Sequence, residues 1–415
     1  MRLLKILLFC FFSMKAFSQN VEEELSKIYT QNDLIGVSVI GICNKEIKVQ
    51  YHKGFAHEKQ KVTIQKNTKY RIASVSKTIT AIALMQLWEK GLFKLDDDVN
   101  KYLGFSLRNP NYPDVPITFR MLLSHTSSIV DGSGYDAFIS HSYQNNAPSA
   151  ISTLLTTQGK FYTPDMFLNK TPGSFFTYSN TAYGIIGTLI EKISGMRFDI
   201  YCKKNIFLPL NLDASFNIQD IKNVAQIATL YRKTEAGWVP QTDDFFEKKP
   251  QNKDLSKYIV GSNGFIFAPQ GGLRISAQDL ATLTFMFMHQ GTYKGIKILK
   301  PETIKIMFSP QWTYNGSNGD DYSGLFKQWG LGVHITTQTV KKDIVFPHKK
   351  MTGHPGEAYG LISDWYMNLE TGEAVIFMTN GSARTYQTGS KSAFYTPEEE
   401  TFLTIHQFLQ KKCRK

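Results

Sequence analysis

Apolar and polar positions change period along the chain, and each change marks an element. Val37, Val39 and Ile42 open a strand and Asn44-Lys45 make a turn. Ile47, Val49 and Tyr51 then alternate with Lys48, Gln50 and His52, the period-two signature of a second strand. Farther on the period lengthens: Ile79, Ala81, Ile82, Ala83, Leu84, Met85, Leu87 and Trp88 cover all sides of one helix, as in a core helix, and Gly91 stops it. A second helical run carries Ala182, Ile185, Ile186, Leu189, Ile190 and Ile193 after the turn formers Thr171-Pro172-Gly173. Ala358 to Met367 and Ala374 to Thr379 flank Asn368 to Glu373 as another hairpin, and Thr396-Pro397 with three glutamates opens a final helix. This order predicts an α/β (α+β) fold in one domain: an antiparallel sheet built from both chain ends and flanked by helices, with a mostly helical region inserted. The sheet part is expected over about 22–95 and 265–415, and the helical part over about 96–264.

Candidate chemistry lies at the edges of these elements. Ser74 is the only serine with a lysine, Lys77, three positions on, and it heads the first apolar helix. Residues at that spacing share a helix face about 5–6 Å apart, so a hydroxyl and an amine point into one volume. Burial keeps such an amine uncharged and able to take the serine proton, and a helix N-terminus offers unpaired N–H groups to a developing oxyanion. Tyr178-Ser179-Asn180 stands just ahead of the second helix. There a phenol can relay a proton, and an amide can bind a substrate carbonyl or hold Lys77. His354-Pro355-Gly356-Glu357 leads into the Ala358 to Met367 run, where Gly356 permits close approach of a ligand to the strand and the Glu357 N–H can face that of Ser74. Singly, each motif also fits a capped helix or a histidine in a turn.

Together, in this order, they resemble the serine β-lactamase and penicillin-binding-protein superfamily, and the tyrosine in the central triplet is similar to the class C branch with its D-alanyl-D-alanine peptidase and esterase relatives. Arg71-Ile72-Ala73, Leu122 to Ser127, Pro172-Gly173 and Gly271 to Ser276 also look like segments of that family. The resemblance implies catalytic roles for Ser74 (acylated serine), Lys77 and Tyr178 (acid/base pair), and substrate binding by Asn180, His354, Gly356 and Glu357. It implies a cofactor-free hydrolase of small ester, amide or peptide substrates, cell-wall fragments among them.

Two departures bear on specificity. His354 stands where a β-lactamase has a lysine, so the permanent cation that would hold a substrate carboxylate is replaced by a mostly neutral ring. Pro355 removes a hydroxyl and a backbone donor. The expectation is an esterase or amidase rather than an efficient β-lactamase. The alternatives are a D-Ala-D-Ala or D-amino-acid peptidase, a weak β-lactamase, and a non-catalytic binder of muropeptides or penicillin. Glu357 is expected either to turn away from the cleft by strand alternation or to favour cationic substrates. Ser128 stands where many relatives have glycine, and the stretch from Asp131 to Leu168 is expected to border the cleft.

Composition narrows the rest. The 415 residues are 42% apolar, enough for a proper core. Arg2 and Lys5, the apolar run Ile6 to Phe12 and Ala16-Phe17-Ser18 read as a signal peptide of residues 1–18, and hence as export to the periplasm or medium. Without it the formal charge falls from +12 to +9, a solubility feature in an exported protein rather than a nucleic-acid footprint. No later segment suits a membrane helix, so no stable membrane insertion is expected. The three remaining cysteines, Cys43, Cys202 and Cys413, are odd in number and widely spaced, so no disulfide framework is expected. His125 reads as structural, and the other histidines lack metal-ligand spacing, so no metal is expected.

Overall fold

The computed structural model describes residues 21–144, 148–246, 249–250, 254–383 and 387–413; the expected signal peptide lies outside them. A helix over residues 21–31 (α1) leads into strands Gly36–Cys43 (β1) and Glu46–His57 (β2). The site-bearing helices Ser76–Glu89 (α2) and Asn180–Ser194 (α3) follow, then Ala277–Met288 (α4). Strands Thr352–Ala358 (β3), Leu361–Asn368 (β4) and Glu373–Thr379 (β5) and the helix Thr396–Cys413 (α5) close the chain.

The expected sheet forms. Its long strands run β3-β4-β5-β1-β2, all antiparallel, so β1 and β5 from opposite chain ends lie side by side with Val37 opposite Thr379 and Ile42 opposite Ala374. Every residue of β1 and β5 is buried, because α1 and α5 cover one face of the sheet and α4 the other. β2, nearer an edge, is mostly half-buried. That difference explains why polar alternation was visible in β2 and not in β1.

Two expectations need correction. The apolar run from Ala358 to Met367 is not one strand after the His354 motif: the motif lies within β3, and Tyr359 and Gly360, both at positive φ (56° and 89°), turn the chain into β4. Two consecutive left-handed residues match the twist of an antiparallel pair, which makes a tight hairpin there.

The second concerns the cysteines. Cys43 at the end of β1 and Cys413 at the end of α5 form a disulfide, while Cys202 is free and buried. A sequence separation of 370 hid the pairing, which exists only because the final helix lies along the first strand. Closing so long a loop restricts the unfolded chain, so Cys413→Ser is expected to lower unfolding free energy by about 2–5 kcal/mol. Thermal denaturation with and without reductant checks this: reductant should lower the Tm of wild type and leave the variant unmoved.

Candidate active site

Ser74 sits in a 3-10 turn, Ala73–Val75, that runs directly into α2. Strand pairing sets that turn in place: Lys69–Arg71 pairs with Arg274–Ser276, the Ile72 N–H donates to the Leu273 carbonyl (2.9 Å), and the Ser363 hydroxyl of β4 donates to the Ile72 carbonyl (2.9 Å). Ala73, just before the nucleophile, has φ of 44°, a left-handed conformation that costs an L-residue about 1–2 kcal/mol. The strain sits where the chain swings from strand into helix and presents the Ser74 side chain to the cleft.

Lys77 is fully buried, and its Nζ has three neighbours: Ser74 Oγ at 3.1 Å, Asn180 Oδ1 at 2.8 Å and the Gln270 carbonyl at 2.8 Å. Burial pulls its pKa from 10.5 down to about 7, against an opposing pull from Asp131. A neutral amine has two N–H donors and one lone pair. Asn180 Oδ1 and the Gln270 carbonyl can only accept, so they take the two donors and leave the lone pair aimed at the Ser74 hydroxyl.

Asp131 holds this arrangement from behind. Its carboxylate accepts from the Asn180 N–H (3.1 Å) and side-chain amide (2.8 Å), and from the Thr181 N–H and hydroxyl (both 2.8 Å). The amide of Asn180 is thereby oriented with its oxygen toward Lys77, and the first turn of α3 gains an anion where its dipole favours one. Ser179 is the N-cap, accepting from the Ala182 N–H at 3.1 Å. Because the Asp131 charge raises the Lys77 pKa, Asp131→Asn is expected to move the acid limb of the pH–rate profile to lower pH, and to lower turnover about ten- to a hundredfold through misplacement of Asn180. A limb that stays in place removes Asp131 from the site.

Tyr178 lies over Lys77, with Nζ 4.7 Å from the ring centre. Its buried hydroxyl lies against Ser74 without a formed hydrogen bond, and desolvation raises its pKa well above 10 despite the tempering effect of Ser74. His125 stacks on Tyr178 at 4.4 Å and accepts from the Ser179 N–H at Nδ1 (3.0 Å). Desolvation and the nearby Lys77 hold the His125 pKa well below 6.5, so it stays neutral. Its structural assignment holds, but the structure it supports is the central motif itself. Ser128, at φ of 62°, is left-handed, a conformation that favours glycine, and its hydroxyl accepts from the Asn109 amide (2.9 Å).

On the third motif, His354 is fully buried and its Nδ1 donates to the Pro355 carbonyl (2.6 Å). Desolvation and Lys77 hold its pKa well below 6.5, so no cation stands where a β-lactamase lysine would. Gly356 packs against the nucleophile turn: a Cβ there would lie 2.5 Å from Ser363 Oγ, 2.8 Å from the Ile72 carbonyl and 3.1 Å from Ser74 N. Glu357 lies on the opposite face of β3 from Gly356 and accepts from the Tyr395 hydroxyl (2.9 Å).

Ser74, Tyr178, Asn180, His354, Gly356 and Glu357 line one cavity of about 520 Å³, with Lys77 beneath it. The seven residues singled out in the sequence thus meet at one cavity, while their support was not legible there: Asp131 stood only as the start of a bordering loop, and Gln270, Tyr322, Phe326 and Tyr395 carried no motif. Among the described residues, no three His, Cys, Asp or Glu side chains gather as a metal site would.

Comparison with known proteins agrees with this fold. Penicillin-binding protein 4* of Bacillus subtilis (strain 168) is 31% identical over 167 residues, 40% of this chain and 34% of that protein, so the match spans about a third of the relative's length. The octameric penicillin-binding protein homologue of Pyrococcus abyssi superposes with a TM-score of 0.69 at 21% identity, over 96% of this chain and 78% of that one. The D-amino acid amidase of Ochrobactrum anthropi SV3 does so at 0.68 and 18%, over 96% and 100%. The Beta-lactamase family model matches residues 17–391. This chain belongs to the Beta-lactamase family.

Proposed function

We propose that the protein is an exported serine hydrolase that forms an acyl-enzyme on Ser74 and acts on esters or amides rather than on β-lactams. One observation carries the reading: Lys77 has its two donors taken by obligate acceptors and its lone pair directed at the Ser74 hydroxyl, with a pKa near the working pH. As Ser74 Oγ attacks the substrate carbonyl, Lys77 takes its proton. The N–H groups of Ser74 and Glu357 stabilise the oxyanion, and Tyr178, which stays protonated, relays a proton to the leaving group. Water then repeats the sequence on the acyl-enzyme.

The neutral, buried His354 supports the ester or amide preference, because a substrate carboxylate finds no permanent positive charge beside the nucleophile. Export is supported by the charged-then-apolar start of the sequence and by the Cys43–Cys413 disulfide, a bond that persists in oxidising compartments. A fluorophosphonate probe is expected to label the folded chain once, on Ser74, and simple esters and amino-acid amides to be turned over faster than a chromogenic cephalosporin. Comparable cephalosporin turnover favours the lactamase or cell-wall peptidase alternative. Absence of labelling, with muropeptide binding unchanged in Ser74→Ala, favours the non-catalytic binder.

A further inference from the structure

The cavity does not end at the nucleophile. On its outer edge β3 pairs, among the described residues, at Thr352 and Gly353 alone, which leaves the edge from His354 onward unpaired by them. Successive side chains alternate across the sheet, so His354 and Gly356 face Ser74 while Pro355 and Glu357 face the α5 side. The cavity wraps round the open edge into a second lobe lined by Pro355, Glu357, Phe394, Tyr395 and Glu398.

Among the described residues, that lobe is lined by the carboxyl groups of Glu357 and Glu398 and by no basic side chain. Glu398, nearly fully buried, hydrogen-bonds to Asp364, the fully buried residue opposite Pro355 on β4. Burial pushes both pKa values up, Glu398 to about 7; the Glu398 charge raises Asp364 further, while the hydrogen bond to Asp364 tempers the rise of Glu398, so the pair shares a proton. On the catalytic side the Nδ1 of His354 is taken by the Pro355 carbonyl, which makes its buried Nε2 an acceptor, and that nitrogen has no partner among the described residues. Among the described residues lining the cavity there is no lysine or arginine. The walls thus offer carboxyl oxygens and an unpaired ring nitrogen, beside the aromatic rings of Phe394 and Tyr395 that suit a cation.

The geometry points to an ammonium-binding subsite in this second lobe, which selects substrates carrying a cationic amine beyond the scissile carbonyl, such as amino-acid or amino-alkyl amides and esters. As a statement about substrates it rests on the hydrolase reading; as a statement about binding it does not. Calorimetric titration of the full-length Ser74→Ala chain separates the two. The ligands are ω-amino amides from glycinamide to ε-aminocaproamide, their neutral hydroxy isosteres and the matching carboxylates. At the chain length that reaches round the edge, the amine is expected to bind about tenfold or more tighter than its hydroxy isostere, the scale of a charge-assisted hydrogen bond, with the carboxylate weakest. Glu357→Gln and Glu398→Gln should each narrow the gap; should the buried Glu398 variant not fold, Glu357→Gln and the parent series still decide. Equal affinities at every length, or a preference for the carboxylate, overturn the subsite. Failure of Ser74-dependent turnover in the wild type would instead remove the hydrolase reading and leave the binding order standing.

Discussion

Replacing Ser74 by alanine is expected to abolish acyl transfer, lowering ester turnover by about 10⁴-fold or more, because removal of the nucleophile leaves only binding and oxyanion stabilisation. The fold should survive. Ser74 lies in a short turn whose backbone is held by Leu273 and Ser363, and its side chain's contact is with Lys77. The measurement is burst-phase and steady-state hydrolysis of a chromogenic ester, with mass spectrometry of the trapped acyl-enzyme. Wild type should gain one acyl mass and the variant none. Wild-type turnover retained in Ser74→Ala would move the chemistry elsewhere.

Lys77→Met is the second large effect and has two signatures. Acylation should fall about 10²–10⁴-fold, the usual share of a general base. In the wild type the rate should drop about tenfold per pH unit below pH 7, because the amine must be neutral to accept a proton. The same burial has a stability consequence of definite sign. The folded state binds the Lys77 proton less tightly than the unfolded chain, where its pKa is near 10.5. The resulting penalty, about 5 kcal/mol at 1.36 kcal/mol per pKa unit, is full below pH 7 and fades as pH rises from 7 to 10.5. Wild type should therefore gain stability relative to Lys77→Met across that window, by up to about 1.4 kcal/mol per pH unit, as read by denaturant unfolding at several pH values. A flat difference would mean that Lys77 stays charged in the fold, and the base would then have to be another group.

The substrate question turns on the neutral third motif. Histidine in place of lysine removes a fixed charge, and its burial takes away even the partial charge that an exposed imidazole would carry at pH 6 to 7. Together with the Glu357 and Glu398 carboxyl groups on the wall, this leaves no lysine or arginine among the described residues that line the cavity.

What the sequence by itself determined was local. Ser74 and Lys77 share a helix face through their spacing, and Tyr178 and Asn180 stand at the start of α3 through the turn formers before it and the apolar period after it. β1, β2, β4, β5 and α5 were legible because period-two and period-3.6 patterns need only neighbours in the chain. The tertiary structure decided everything that joins distant positions: Cys43 with Cys413, Asp131 with Asn180, the Gln270 carbonyl with Lys77, and His125 stacked on Tyr178. It also decided the protonation states, since the same lysine and histidines would titrate normally in water and are shifted only by the burial that packing imposes. The physical reason is the same in each case. Periodicity and turn chemistry are properties of a short window, whereas desolvation, register across a sheet and the closing of a cavity depend on which chain segments end up side by side.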